Sequence, residues 1–162
     1  MALDTVEGRG LTIVKQEEKL TPERLKAVEK IIGVNLPEEY RNFLLAHNGG
    51  SPRPQAFEYR CGGGPPKLGA VAYFLAIYDG DAENFLDFYE TFRGRIPHDT
   101  ISVARDPGGN LILLGTRGPN AAKVFFWIKD QEADEDEEPD HSNLCFIAES
   151  FKKFLDSLKN VD

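Results

Sequence analysis

Five acids, Asp79, Asp81, Glu83, Asp87 and Glu90, fall on the first, third, fifth, ninth and twelfth places of a twelve-residue window. Those are the places through which an EF-hand loop holds calcium. The sixth place of such a loop needs a turn-making glycine, and here it is Asn84. Phe85, Phe88 and Tyr89 meanwhile keep helical spacing straight through the window, so the segment reads as a helix capped by Asp81 and running from Ala82 to Phe92.

The other chemistry-bearing patterns are also incomplete. His141 and Cys145 stand four apart and could share a metal on one helical face, but a structural zinc takes four ligands. No CxxC or HxxxH pair completes the set, and Cys61, His47 and His98 have no diagnostic spacing. The two cysteines, too few and too far apart for a disulfide framework, read as ordinary thiols. The stretch CGGGPPK, Cys61 to Lys67, lacks the Gly-Lys-Ser/Thr ending of a phosphate loop and the spacing of a dinucleotide fingerprint, so it reads as a surface loop. No GxSxG elbow marks an activated serine. Trp127, the single tryptophan, reads as half-buried core. Nothing combines an acid, a base and an electrophile, and the expectation is a non-enzyme without cofactor or metal.

One charged feature remains. The run EADEDEEPD holds Glu132, Asp134, Glu135, Asp136, Glu137, Glu138 and Asp140 and no base. Of the chain's 27 acids seven sit there, leaving 20 against 19 Lys and Arg, so the net charge of −8 is a local property. Such a run is either a solvated loop or a patch that meets a basic partner. Clustered Lys and Arg, which phosphate contacts require, are missing, and nucleic acid is not an expected partner.

The elements that must position these residues are punctuated clearly. Thr21 as N-cap, Pro22 and Glu23 open a helix carrying Leu25, Val28 and Ile32 on one face, and Gly33 closes it. Pro37, Glu38 and Glu39 open a second, with Tyr40, Phe43, Leu44 and His47 on one face and a stop at Asn48-Gly49, where left-handed backbone is expected. The two form an αα-hairpin whose apolar faces must share one surface. A last helix is read from IAESFKKFLDSLK, with Ile147, Phe151, Phe154, Leu155 and Leu158 on one side. TISVA, NLILLG and KVFFWI are short, β-branched or aromatic, and separated by DPGG and RGPN turns; strands joined so briefly must be antiparallel. LTIVK, FEYR, part of AVAYFLAIY, and LCFI are further strand candidates.

Helices before, between and after an antiparallel meander give an α+β layer fold, read as one domain over residues 1–162. The start MALDTVEGRG shows no secretory signal. The longest apolar run, AVAYFLAIY, is far short of a membrane span. The expected setting is cytoplasmic, with no membrane partner.

The order of these pieces resembles the SUKH superfamily, the domain of fungal cell-wall-synthesis regulators and of many bacterial immunity proteins. The resemblance is carried by IIGVNLPEEYRNFLLAHNGG, with Gly33, Leu36, Pro37, Tyr40, Asn48, Gly49 and Gly50 at the family's recurrent places. It continues through IPHDTISVARDPGGNLILLG, KVFFWIKDQE and IAESFKKFLDSL, about residues 20–158. It implies an antiparallel sheet with helices packed against it, recurrent residues that are structural, and a function of binding. The partner so implied is a cognate toxin, of nuclease or deaminase class, neutralised by stoichiometric binding. In that reading the seven acids of the tract meet a basic cleft, speeding encounter in a salt-dependent way. An intracellular regulator or scaffold without a toxin partner is the alternative, and an enzyme using the loop near Cys61 is a distant third.

Overall fold

The computed structural model describes residues 4–6 and 10–161. Residues 1–3 and 7–9, part of the start read above as free of a secretory signal, and residue 162 lie outside it.

Two helices come early. α1 (Pro22–Ile32) starts where Thr21 accepts a hydrogen bond from the Arg24 amide and ends on Gly33 at φ 71°. α2 (Glu38–Ala46) follows Pro37 directly, with Glu38 and Glu39 at its positive end. Glu29 locks the hairpin: its carboxylate accepts from the Leu36 amide at 2.7 Å and from the Arg41 guanidinium at 3.1 Å. Leu25, Val28 and Ile32 from α1 and Tyr40, Phe43 and Leu44 from α2 are all buried in one core. Each such side chain contributes about 1.5–3 kcal/mol by leaving water.

That core is the underside of a sheet in the order β10-β9-β8-β7-β6. Its strands are β6 (Tyr73–Phe74), β7 (Thr100–Arg105), β8 (Leu111–Gly115), β9 (Val124–Trp127) and β10 (Leu144–Ala148). Every pairing is antiparallel, and for β7–β8 and β8–β9 the short DPGG and RGPN connections require it. In the first, the Asp106 carboxylate accepts from the amides of Gly108 and Asn110, while Gly109 sits at φ 92°. Central β8 is buried throughout: Ile112 and Leu114 face the main core, Leu111 and Leu113 a smaller one with Ile96 and Trp127. The smaller core is closed by Phe88 and Phe92 of α3 (Phe85–Phe92).

Two smaller sheets extend this one. β1 (Asp4–Val6), β2 (Leu11–Val14) and β3 (Ser51–Arg53) form one, tied to β6 where the Phe74 amide donates to the Gly50 carbonyl at 2.7 Å. β4 (Ala56–Tyr59) and β5 (Lys67–Ala70) form the other, tied to β10 by reciprocal bonds between Arg60 and Phe146 at 2.9 and 2.8 Å. α4 (Phe151–Ser157), capped by Ser150, seals the core with Phe151 and Phe154 against Phe43, Phe57 and Phe74.

Several sequence expectations need correcting. α3 begins at Phe85, not Ala82, and its cap is Asn84, whose side chain accepts from the Asp87 amide; Asp81 lies outside it. Ile147 belongs to β10 and not to the last helix, because Ser150 supplies the cap three residues later. Trp127 is fully buried, since α3 covers a sheet face that a half-buried strand would leave open. Cys61 and Cys145 are joined in a disulfide, their Cα atoms 4.4 Å apart. Sequence separation hid this pair; the Arg60–Phe146 bridge brings their neighbours into register.

Candidate functional site

The acidic tract is the connection from β9 to β10, running from Ile128 to Asn143. Connections that long are uncommon in compact folds, where they are usually either functional or linker-like. Its neck is closed by the Ile128 amide donating to the Asn143 carbonyl at 3.0 Å and by the Asn143 side chain donating back to Ile128 at 2.9 Å. At the near end Glu132 takes a bidentate pair from Arg95, at 2.9 and 3.1 Å. The Arg95 guanidinium lies 4.5 Å above the Phe92 ring, which packs edge-on against Trp127. The hydrogen bond to Glu132 raises the Arg95 pKa above its ordinary value, so the anchor is charged at every working pH. At the far end the Asp140 carboxylate accepts from the Ser142 amide at 2.9 Å, and these Ser142 hydrogen bonds hold its pKa below the usual carboxylate range. His141 lies 3.0 Å from Asp99, the residue just before β7.

Between the anchors the loop turns on itself. The Glu137 amide donates to the Asp134 carbonyl at 2.9 Å, and the Asp134 amide to the Glu137 carboxylate at 3.3 Å. Glu138 reaches His98 at 3.3 Å. Glu132, Glu137, Glu138 and Asp140 therefore have partners within the chain. Asp134, Glu135 and Asp136 are exposed, with no side-chain partner among the described residues. Sequence reading found all seven acids but could not separate anchors from free charges, because Arg95 and His98 are distant in the chain.

The motif residues do a different job. Gly33 ends α1, Leu36 and Tyr40 are buried, and Pro37 precedes α2. α2 ends on His47 in extended conformation, and the positive φ angles fall on Gly49 and Gly50, at 79° and 105°. Asn48, expected to turn left-handed, acts through its side chain. Its Oδ1 accepts from the Ile77 amide at 2.9 Å, and its Nδ2 donates to the carbonyls of Ile77 and Glu18 at 2.8 and 2.9 Å. A Cβ on Gly49 would lie 2.6 Å from the Ala76 side chain, and one on Gly50 2.6 Å from the Val14 carbonyl. Asn-Gly-Gly is thus where the β2–β3 sheet is stitched to β6. The Tyr40 hydroxyl is buried without a partner among the described residues, and burial pushes its pKa up, keeping it neutral.

The weaker chemical candidates disperse. Glu83 pairs with Arg105 and Asp79 with Arg24, so the calcium-like window is spent on ion pairs and on α3's first turn. Cys145 lies in a strand and is bonded to Cys61, and the His141–Cys145 pair has no helical face to share. Among the described residues no group of three or more His, Cys, Asp or Glu could hold a metal ion. CGGGPPK forms the β4–β5 connection, with Gly62 at φ 61°. Among the described residues no helix is long and apolar enough to cross a membrane.

An antiparallel sheet sealed by an αα-hairpin and a C-terminal helix, stitched at Asn-Gly-Gly, defines the class of protein. The chain matches the model of the SMI1/KNR4 family (SUKH-1) over residues 19–157, and it belongs to that family. It is also similar to the SPbeta prophage-derived uncharacterized protein YokK of Bacillus subtilis (strain 168). The two are 28% identical over 156 residues, covering 85% of this chain and 74% of that one.

Proposed function

We propose that this chain is a binding protein that neutralises a cognate toxin by occupying a basic cleft with the 132–140 loop, residues 1–162 acting as one SUKH unit. The observation that carries this reading is the anchored acidic loop itself. Arg95–Glu132 and the Asp140 turn fix its ends, and three carboxylates project from its middle with no internal partner. Membership of a family of binding and regulatory domains supports a role in recognition over catalysis. Like charges held close in one loop repel in the free protein and gain when they meet a cationic surface, which raises association rates at low salt. A nuclease or deaminase cleft shaped for polyanionic substrate is such a surface. The resemblance to a prophage-derived protein fits a role in conflict between bacteria or phages.

The test has two stages. Proteins captured from the native cell by tagged chain are expressed alone and with it; the reading expects one that stops growth alone and is tolerated in its presence. With that partner, the triple variant Asp134→Asn, Glu135→Gln, Asp136→Asn should associate several-fold more slowly at low salt and equally at high salt, where the Debye length shrinks to about 3 Å. An unchanged rate at low salt removes the loop from the interface. Absence of any growth-arresting partner favours the regulator.

A further inference from the structure

We propose that the cavity of about 290 Å³ between the end of α1, the end of α3 and the first half of β7 is a binding site for a carboxylate on a short apolar body. The chain carries a net charge of −8, yet among the described residues no Asp or Glu lines this cavity, whereas Arg93, Arg117 and His98 all do. Arg93 has a distant partner in Glu90 at 4.0 Å and His98 has Glu138 at 3.3 Å, but Arg117 has no charged partner among the described residues. The floor is apolar, formed by Ile32, Val34, Ile96 and Ile101.

Two features of β7 supply the directional contacts. β6 reaches only as far as Ala104, and the Leu75 amide then donates to the Val103 carbonyl, so among the described residues no strand pairs with Thr100–Ile101 on that side, and both line the cavity. Ser102 is 4% exposed and lines the cavity, and its hydroxyl has no hydrogen-bond partner among the described residues. Thr100 differs, because its hydroxyl donates to the Pro97 carbonyl at 2.8 Å. The hydroxyl keeps contact with solvent at the cavity, and a ligand oxygen can replace that water as its partner. A carboxylate accepts from Ser102 and from Arg117 together, while an alkyl or aryl group of a few carbons covers the isoleucines. Few convergent polar groups on an apolar floor are the usual make-up of a small-molecule site. The volume is at the small end of that range, which limits the ligand to about the size of one amino-acid residue.

The carboxylate could belong to a free acid or to the last residue of a protein, and the two sources are separable. The full chain, uniformly labelled with ¹⁵N, is titrated with 4-methylpentanoate, with the peptide Gly-Gly-Leu, and with Gly-Gly-leucinamide. The proposal expects saturable shifts at Ile101, Ser102 and Arg117 with at least one carboxylate, and binding at least tenfold weaker for the amide. The tighter of the two carboxylates identifies the source. Arg117→Gln, at an exposed position that leaves the core intact, should weaken binding about tenfold, as loss of a charge-assisted bond does, and Arg117→Lys should recover part of it. Ser102→Ala should also weaken binding. No saturation by either carboxylate up to about 10 mM, equal binding of the amide, or an unchanged constant in Arg117→Gln overturns the proposal.

Discussion

Replacing Asn48 by alanine measures how much of the fold depends on the seam at Asn-Gly-Gly. The side chain is 2% exposed and makes three hydrogen bonds of 2.8–2.9 Å, two to Ile77 and one to Glu18. Alanine leaves the Ile77 amide and carbonyl buried and unpaired, at about 1–3 kcal/mol each, while the Glu18 carbonyl is only part-buried and recovers water. The expected loss is about 2–6 kcal/mol, a large share of a typical 5–15 kcal/mol stability. At about 2–4 °C per kcal/mol for a chain of this size, the midpoint should fall by about 4–24 °C. Urea unfolding followed by Trp127 fluorescence supplies the number. Asn48→Asp sharpens the test: it keeps an acceptor for the Ile77 amide, loses both donated bonds at neutral pH and buries a charge. It should be as damaging as alanine at pH 7 and regain stability as falling pH protonates the carboxyl. A loss below about 1 kcal/mol for alanine, or a native-like aspartate variant at pH 7, would refute the stitch.

Two further outcomes follow from the ends of the acidic loop and the strand beside it. Closing a loop of 84 residues, the Cys61–Cys145 bond should contribute about 4.5 kcal/mol through denatured-state entropy, so reduction or the double alanine variant lowers the melting temperature without unfolding the chain at 25 °C. Counting two free thiols in the non-reduced, denatured protein would remove the bond. Asp140 should titrate in the folded chain below the ordinary carboxylate value, because Ser142 bonds to its ionised form. A depressed folded pKa means that its contribution is present above the unfolded value and is lost as pH falls through the folded one. A carboxyl NMR titration shows this directly, and a midpoint at or above the ordinary value would mean that the turn is not formed.

Much of the architecture was legible because its signals are local. Thr21-Pro22 and Gly33 bound α1 without help from the rest of the chain, and the short apolar runs of β7, β8 and β9 are joined by turns too short for any other pairing. The errors came where distant segments decide. Asp81 and Asn84 are both good caps by residue type. Asn84 is chosen because its side-chain Nδ2 also donates to the carbonyls of Tyr78 and Gly80, at 2.9 and 2.8 Å. β3 and β5 carry Pro52 and Gly69 and show no strand pattern of their own; pairing with β2 and β4 holds them extended. Ser102 and Arg117 gave no signal, since a cavity formed by three separate segments has no spacing in the sequence.

The acidic loop and the disulfide meet on the same strand, and this would tie the binding role proposed above to the scaffold. β10 is held on one side by β9, on the other by the Arg60–Phe146 bridge, and covalently by Cys145 to Cys61. The loop therefore leaves from β9 and returns into a strand tied on both sides, with its neck bonded at Ile128 and Asn143. A carboxylate cluster on a freely moving loop would pay its ordering entropy on binding; here much of that ordering is already in the fold. The same constraint explains why negative charge can be concentrated in nine residues: mutual repulsion that would open a loose loop is resisted by Arg95 at one end and by the locked strand at the other. Cutting the disulfide and neutralising Arg95 should then slow or weaken partner binding together, and by more than either alone, because each leaves the other anchor to restrain the same repelling charges.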